Sequence, residues 1–564
     1  MSSQTVVLAS PPVAAQTKFD VTRPIAKFHP CVWGNHFLNY TPSDEEVVTE
    51  RKMELESLKL EVRKELLKIA DRPLESMKLI DAIERLGVSY HFEKEIEESL
   101  KQAYDAYKKN DQDSSLDLYH TSLSFRILAQ HGYYVSSEIF SKFIDEHGSF
   151  IGSLKSDIMG LLSLYDAAYL RGNGDTIMEK ALEFSVVHLK VVAMEKDHPL
   201  APQICRALVY PIHKGVVLIE SRHYISFYEK QPFHMRSLLR YSKLEFNVRQ
   251  SLHKEELKDL TMWWRSFEFP KTFPFIRDRV VEAYLNSVSV FHDPKFSVAR
   301  VVYTKAFLLL TVLDDIYDSY GTIEELEAFT KAIERWDKST IDELPSYMKL
   351  FYEIQYDSYK QFEDDVATLG IKNYVQYAVK EVITLSKAYL QEARWCKMKY
   401  VPTFDEYFQN AIKSSATTLM VVVSLLFNYV DETDAKKTFE SVSKNSKPQR
   451  ATCIIGRFMD DLVDYEWDKH RDHVVGGVDC YIKQHSVSEE KAFEAINMMV
   501  ENAWKEINEE IFESTTTIAK PLLPYIYNFC RIMDYVYKNE NGYTIVSQRM
   551  KDTIKLVFIE PLSI

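Results

Sequence analysis

Apolar residues recur three and four positions apart through most of this 564-residue chain, the spacing that lays one stripe along an α-helix. The stretch EEVVTERKMELESLKLEVRKELLKI (45–69) predicts an amphipathic helix on that basis. Similar segments follow, separated by the short breaks RLGVSYHF, KKNDQDSS, AQHGYY and LRGNGDT. No strand-rich region and no glycine-rich phosphate loop interrupts them. Near 229–244, EKQPFHMRSLLRYSKL breaks at a proline and resumes as helix, so a domain boundary is expected at 240. At 306–322, AFLLLTVLDDIYDSYGT sets eight mostly apolar residues before Asp314, Asp315 and Asp318. That pattern predicts a buried helix that delivers carboxylates at its end.

Composition agrees with an all-α reading. The chain has only 15 Gly and 19 Pro, where average usage is about 7% and 5%. Its length exceeds what one hydrophobic core usually serves, which predicts two helical domains. No repeat of 20–50 residues is evident, and no run approaches the ~18 apolar residues of a membrane span. The net charge of −14 opposes binding to nucleic acid and stable association with anionic membranes. Six scattered cysteines without a C-x-x-C pair suit a reducing compartment. The first twenty residues lack a basic segment followed by an apolar core, so no secretory signal is read there. A cytoplasmic location is expected.

The carboxylates carry the chemistry. At about 100° per residue, Asp314 and Asp318 fall within about 40° of each other on one helix face. Further on, FMDDLVDYEWD (458–468) spaces Asp460, Asp464 and Asp468 at i, i+4 and i+8, within about 80° of arc. Asp461 and Glu466 point elsewhere, and Arg457 lies one turn before Asp461. Like charges four apart destabilise a helix, so something must compensate both sets. Oxygen-only clusters without zinc-type Cys or His spacing suit Mg²⁺, which bridges to substrate phosphates. Arg277 and Arg279, at the start of another predicted helix, add positive charge. A diphosphate ester with five carboxylates totals about −8, and three Mg²⁺ with three arginines about +9, near the balance a buried ionic site needs.

From about residue 23 to 564, the chain resembles a plant terpene synthase of the two-domain, class I, sesquiterpene cyclase kind. The resemblance rests on RPIAKFHPCVW (23–33), IERLGVSYHFEKEI (83–96), SLSFRILAQHGYYVS (122–136), GLLSLYDAAYL (160–170), RDR (277–279), DDIYD (314–318), EARWCKMKYVPTFDEYF (392–408) and NGYT (541–544). It implies an N-terminal strip (1–35) that caps the active site. An N-terminal α-barrel-like domain (36–240) and a C-terminal catalytic helical bundle (241–564) would follow. It implies three Mg²⁺, with Mn²⁺ as a substitute, and a prenyl diphosphate substrate handled by a monomer. By resemblance, Asp314, Asp315, Asp318, Asp460, Asp464 and Asp468 form the metal set. Arg277, Arg279 and Arg457 hold the departing diphosphate. Ser414 and Ser415 bring carbonyls of a kinked helix to the cation. Tyr537, Tyr543, Asn541 and Asn286 belong to the pocket, with Tyr543 on a closing loop.

Four positions depart from the family pattern. The second metal motif usually reads N/D-D-x-x-S/T-x-x-x-E, whereas Asp464 and Asp468 stand at its last two positions. This predicts retained Mg²⁺ binding with altered affinity or stoichiometry. Asn286 replaces a pocket tryptophan. Asn541 replaces the aspartate of D-G-Y-T, taking a proton-transfer partner from Tyr543. The resemblance implies a mechanism that ionises farnesyl diphosphate and yields a sesquiterpene hydrocarbon or alcohol, and the changes at Asn286 and Asn541 open acyclic, alcohol and atypical cyclic products. The alternatives are use of geranyl or geranylgeranyl diphosphate, and a chain-elongating prenyltransferase, since DDLVD (460–464) is literally a second D-D-x-x-D. Against the transferase, no Gly-Lys-x-x-Arg-type site for a second diphosphate is present.

Overall fold

The computed structural model describes residues 23, 28–42, 44–109, 116–195, 197–371, 373–428, 432–468, 475–512 and 518–564. Among these the chain is all α, with one isolated bridge between Ile144 and Phe150 and no strand. Several helix starts are written locally. Thr322 caps Ile323–Arg335 and Thr403 caps Phe404–Ser414, each in a reciprocal box with the glutamate three residues on, Glu325 and Glu406. Two otherwise orphaned backbone donors are satisfied at each start.

In the first half, helices Leu118–Gln130, Ile158–Ala168, Thr176–Met194 and Ala201–Val209 pack in sequence order. The 31-residue helix Arg236–Ser266 then joins the halves. It packs against Glu45–Lys68 and Val217–Tyr228 on one side and against Val280–Val290 and Ser297–Ser319 on the other. The boundary expected at residue 240 therefore falls inside a helix. Buried apolar residues run as one cluster from Phe37 to Leu562, with a small satellite around Leu161, Tyr165 and Leu189. The expected pair of separate cores is thus bridged by a helix buried on both faces.

Helix Ser297–Ser319 lies at the centre of the second half and packs against Val280–Val290, Ser346–Thr368, Val375–Met398 and Thr417–Leu425. Leu308, Leu309, Val312, Leu313 and Ile316 on it are completely buried. Among the described residues, Pro294–Ser319 is the one helix long and apolar enough by length and mean hydropathy to cross a membrane, yet 67% of its most apolar window is buried inside the protein. A buried ion pair anchors its first turn. Arg300 donates from Nε and Nη2 to Glu256 at 2.9 and 2.7 Å, and from Nη1 to the carbonyls of Phe291 and Asp293. The Tyr284 hydroxyl donates to the same carboxylate at 2.6 Å.

Arg300→Met should destabilise the fold by about 3–5 kcal/mol, because it strands the buried Glu256 charge. Urea denaturation followed by circular dichroism measures this, and Glu256→Gln/Arg300→Met together should cost less than Arg300→Met alone.

Candidate active site

A cavity of about 710 Å³ opens into the second half. Phe307, Leu310, Tyr317, Met420, Phe529 and Val536 supply its apolar and aromatic wall. Asp314, Asp318, Asp460 and Asp464 also line it, so two helices distant in sequence bring their carboxylates to one space. Asp314, Asp315 and Asp318 each offer an oxygen within 4.8 Å of the others. Hard oxygen donors in this arrangement, with no Cys or His among them, fit Mg²⁺ better than a softer ion.

The aspartates do different things. Asp314 and Asp318 face the cavity, whereas Asp315 is completely buried and absent from its lining. Its Oδ2 accepts the Arg277 backbone N–H at 2.7 Å, and its Oδ1 pairs with Arg277 Nε at 2.9 Å. Arg277 also donates from Nη2 to Asp314 at 2.5 Å. Burial opposes the charge on Arg277, but Asp315, Asp314 and Asp318 hold its guanidinium well above the usual pKa. Burial likewise pushes the Asp315 carboxyl well up, against the pull of Arg277. Asp315 thus anchors Arg277, while one of its carboxylate oxygens still lies within 4.8 Å of those of Asp314 and Asp318.

The second set divides differently. Asp460, Asp461 and Asp464 all line the cavity, Asp460 and Asp464 one turn apart on helix Lys447–Asp468. Asp461 is buried, accepting from the Tyr407 hydroxyl and from the Gly477 N–H at 3.1 Å. Arg457 pairs with Asp461 at 3.0 Å and donates from Nε and Nη2 to the Tyr407 oxygen at 2.9 and 2.7 Å. The helix reaches Asp468, but the side chain of Asp468 lies outside the described residues.

Arg279 is where structure and expectation part. It is 0% exposed, and its guanidinium is spent on the backbone carbonyls of Tyr543, His29, Asp278 and Thr544. Instead of reaching a diphosphate, it fastens the 541–544 loop to the N-terminal strip. That strip is described at Arg23 and from Phe28 on; the remainder of 1–27 lies outside the described residues. Arg23 forks onto Glu325 at 2.7 and 2.8 Å and sits over the Tyr320 ring, while Phe28 lines the cavity.

Tyr543 lines the cavity too, and its hydroxyl pairs with Thr311 at 2.7 Å. Toward Tyr543, the Asn541 side chain accepts from the backbone N–H at 3.2 Å and makes no described bond to the hydroxyl. Asn541 instead donates to Asp460 and Asp464 at 3.1 and 2.8 Å. Tyr537 lines the cavity, and burial, with Asp460 and Asp464 nearby, raises its phenol well above the usual pKa. Asn286 lines it with its oxygen held by the Tyr303 hydroxyl at 2.9 Å. The helix kink is present: Phe404–Ser414 ends, Ala416 takes φ 58°, and Thr417–Leu425 resumes. A left-handed non-glycine costs about 1–2 kcal/mol, and here it turns Ser414 and Ser415 into the cavity wall.

Sequence reasoning passed over several residues. Tyr389 and Glu392, one turn apart on helix Val375–Met398, line the cavity, and Glu392 accepts from Ser414 at 2.6 Å. Burial raises the Glu392 carboxyl, with Arg457 opposing. Polar side chains one turn apart on a buried helix were the available signal. Nothing in the chain order marked Tyr407, Thr311 or Glu325, whose partners are 50 or more residues away in all three cases.

The family described as "Terpene synthase family, metal binding domain" matches residues 265–506, and "Terpene synthase, N-terminal domain" matches 32–208. Among curated relatives, a germacrene B synthase of Cannabis sativa is 43% identical over 577 aligned positions, covering 100% of both chains. A valencene synthase of Vitis vinifera is 42% identical, covering 97% of this chain and 98% of its own. Isoprene synthase from grey poplar (Populus x canescens), solved with three Mg²⁺ ions and dimethylallyl-S-thiolodiphosphate, superposes with a TM-score of 0.84 at 33% identity, over 92% of this chain and 98% of its own. A limonene synthase with 2-fluorolinalyl diphosphate gives 0.89 at 29% identity, over 96% and 100%.

Tyr407→Phe should cost about 1.5–3 kcal/mol of stability, since it removes a charge-assisted bond to the buried Asp461 and leaves Arg457 without its phenol acceptor. Chemical denaturation of the purified variant measures the loss; stability equal to that of the unsubstituted protein would mean that the cluster adds nothing.

Proposed function

This chain belongs to the terpene synthase family, and from that premise we propose that it is a Mg²⁺-dependent sesquiterpene synthase that ionises farnesyl diphosphate. The observation that carries the reading is the convergence of Asp314 and Asp318 with Asp460 and Asp464 on one cavity with an aromatic wall. Its 710 Å³ lies within the roughly 300–1,000 Å³ usual for small-molecule sites. The relatives named for germacrene B and valencene support a fifteen-carbon substrate.

Asp314 and Asp318 on one side, and Asp460 and Asp464 on the other, would hold the metal ions. Bound Mg²⁺ supplies Lewis-acid stabilisation of the charge that develops on the departing diphosphate. Arg277 and Arg457 are placed to bind that diphosphate, each kept charged by a buried aspartate. Asp315 and Asp461 orient these two arginines. Phe307, Tyr317 and Tyr389 offer ring faces that stabilise a carbocation, and the Arg23–Glu325 clasp with Phe28 excludes water. Asn286 sets a polar amide in the wall, which favours an atypical or hydroxylated product. All six cysteines are free, which supports a cytoplasmic setting, and the net charge of −14 supports a protein free of stable contact with anionic membranes; we place it as a monomer.

Purified protein with Mg²⁺ should convert farnesyl diphosphate to a C15 hydrocarbon or alcohol faster than it converts geranyl or geranylgeranyl diphosphate, as read by gas chromatography–mass spectrometry. Longer prenyl chains on addition of isopentenyl diphosphate would instead identify a transferase. Chelation should abolish turnover. Asp314→Asn should lower kcat/KM about a hundredfold or more, whereas Asp315→Asn should act first on stability, through Arg277.

Asn286→Trp should change the product distribution. An unchanged chromatogram would remove Asn286 from the set of residues that steer the cation.

A further inference from the structure

Two departures from the family pattern meet in space. The Asn541 Nδ2 donates to Asp464 Oδ2 at 2.8 Å and to Asp460 Oδ1 at 3.1 Å. Its Oδ1 works in the opposite direction, accepting the backbone N–H groups of Tyr543 and Thr544 at 3.2 and 2.9 Å. An amide can do both at once because it carries two donors and an acceptor. A carboxylate at 541 could accept the same two N–H groups, but it would set a third negative charge against Asp460 and Asp464.

The other side of the loop is held by arginines. Arg277 Nη1 donates to Thr544 Oγ1 at 3.2 Å, and Arg279 donates to the carbonyls of Tyr543 and Thr544 at 3.1 and 3.0 Å. A continuous run of hydrogen bonds therefore crosses the cavity mouth, from Asp464 through Asn541 and Thr544 to Arg277 and Asp314. Asn541 is its one link to helix Lys447–Asp468 among the bonds described.

We propose that Asn541 and Asp464 form one compensated exchange. Relative to the pattern with a hydroxyl at 464 and an aspartate at 541, the carboxylate has moved from the loop to the helix. The charge of the pair stays at −1, and the amide becomes the positioning residue that fastens the loop to Asp460 and Asp464 and orients both carboxylates. Asp464 is therefore not a surplus charge; it is the acceptor that Asn541 requires. The inference rests on the reading of Asp460 and Asp464 as cation-holding residues.

Four variants test it: Asn541→Asp, Asp464→Thr, both together, and Asn541→Ala. In metal-free protein, Asn541→Asp alone should lower the thermal midpoint by about 3 °C or more. The same change in the Asp464→Thr background should lower that background's midpoint by clearly less, since only Asp460 then opposes the new carboxylate. Should Asn541→Asp not fold, recovery of folded protein in the double variant is the same result. Asn541→Ala, which removes the donor without adding charge, should raise the Mg²⁺ concentration for half-maximal turnover about tenfold. Additive effects of the two substitutions on the metal-free midpoint, or an unmoved Mg²⁺ requirement in Asn541→Ala, would overturn the proposal. Failure of the unsubstituted protein to consume prenyl diphosphates would count against the functional reading alone, since the metal-free thermal cycle does not depend on turnover.

Discussion

Negative charge crowded around one cavity is the constraint on which this protein's architecture depends. Asp314, Asp315, Asp318, Asp460, Asp461 and Asp464 belong to two helices that the fold brings to a common space. The repulsion is divided rather than removed. Each helix turns one aspartate inward onto an arginine, Asp315 to Arg277 and Asp461 to Arg457. These buried pairs hold two guanidinium groups at the cavity while the remaining carboxylates stay turned toward it. The charge left over is a demand for cations and for an anionic ligand that comes with them, which is the chemistry of metal-assisted diphosphate departure.

The surrounding structure serves that arrangement. Helix Ser297–Ser319 is apolar enough to be mistaken for a membrane span, and its burial is what lets its final turn present aspartates at a fixed height. The Arg300–Glu256 pair fixes its first turn. At the mouth, Arg279 acts as a fastener: buried among four carbonyls, it ties the 541–544 loop to the N-terminal strip. The strip, the loop and the two acidic helices are thereby joined around the cavity. The kink at Ala416 stores local backbone strain where Ser414 and Ser415 join the cavity wall.

The helical class, the apolar helix ending in aspartates and the two acidic motifs were legible in the chain, because each is written within one or two helical turns, whereas the kink was implied only by the family resemblance. Periodicity placed Asp314 beside Asp318 and Asp460 beside Asp464, and the structure lines one cavity with all four. Arg277 and Arg457 were legible as nearby cations. What periodicity did not give was what the residues turned aside would meet: Asp315 and Asp461 lie about 100° of helix from their neighbours, and there they pair with Arg277 and Arg457.

Local sequence thus determined which residue types share a helix face, and with them the fold class and the kind of chemistry. Only the tertiary structure decided what those faces meet. Arg279 became a loop fastener because carbonyls from residues 29, 543 and 544 converge on it. Tyr407 joined the site through a helix about 50 residues from Arg457. Asn541 and Asp464, two apparent irregularities 77 positions apart, proved to be a donor and its acceptor. Hydrogen-bond and ion-pair complementarity acts through space at about 3 Å, and no pattern along the chain encodes a distance between segments that only packing brings together.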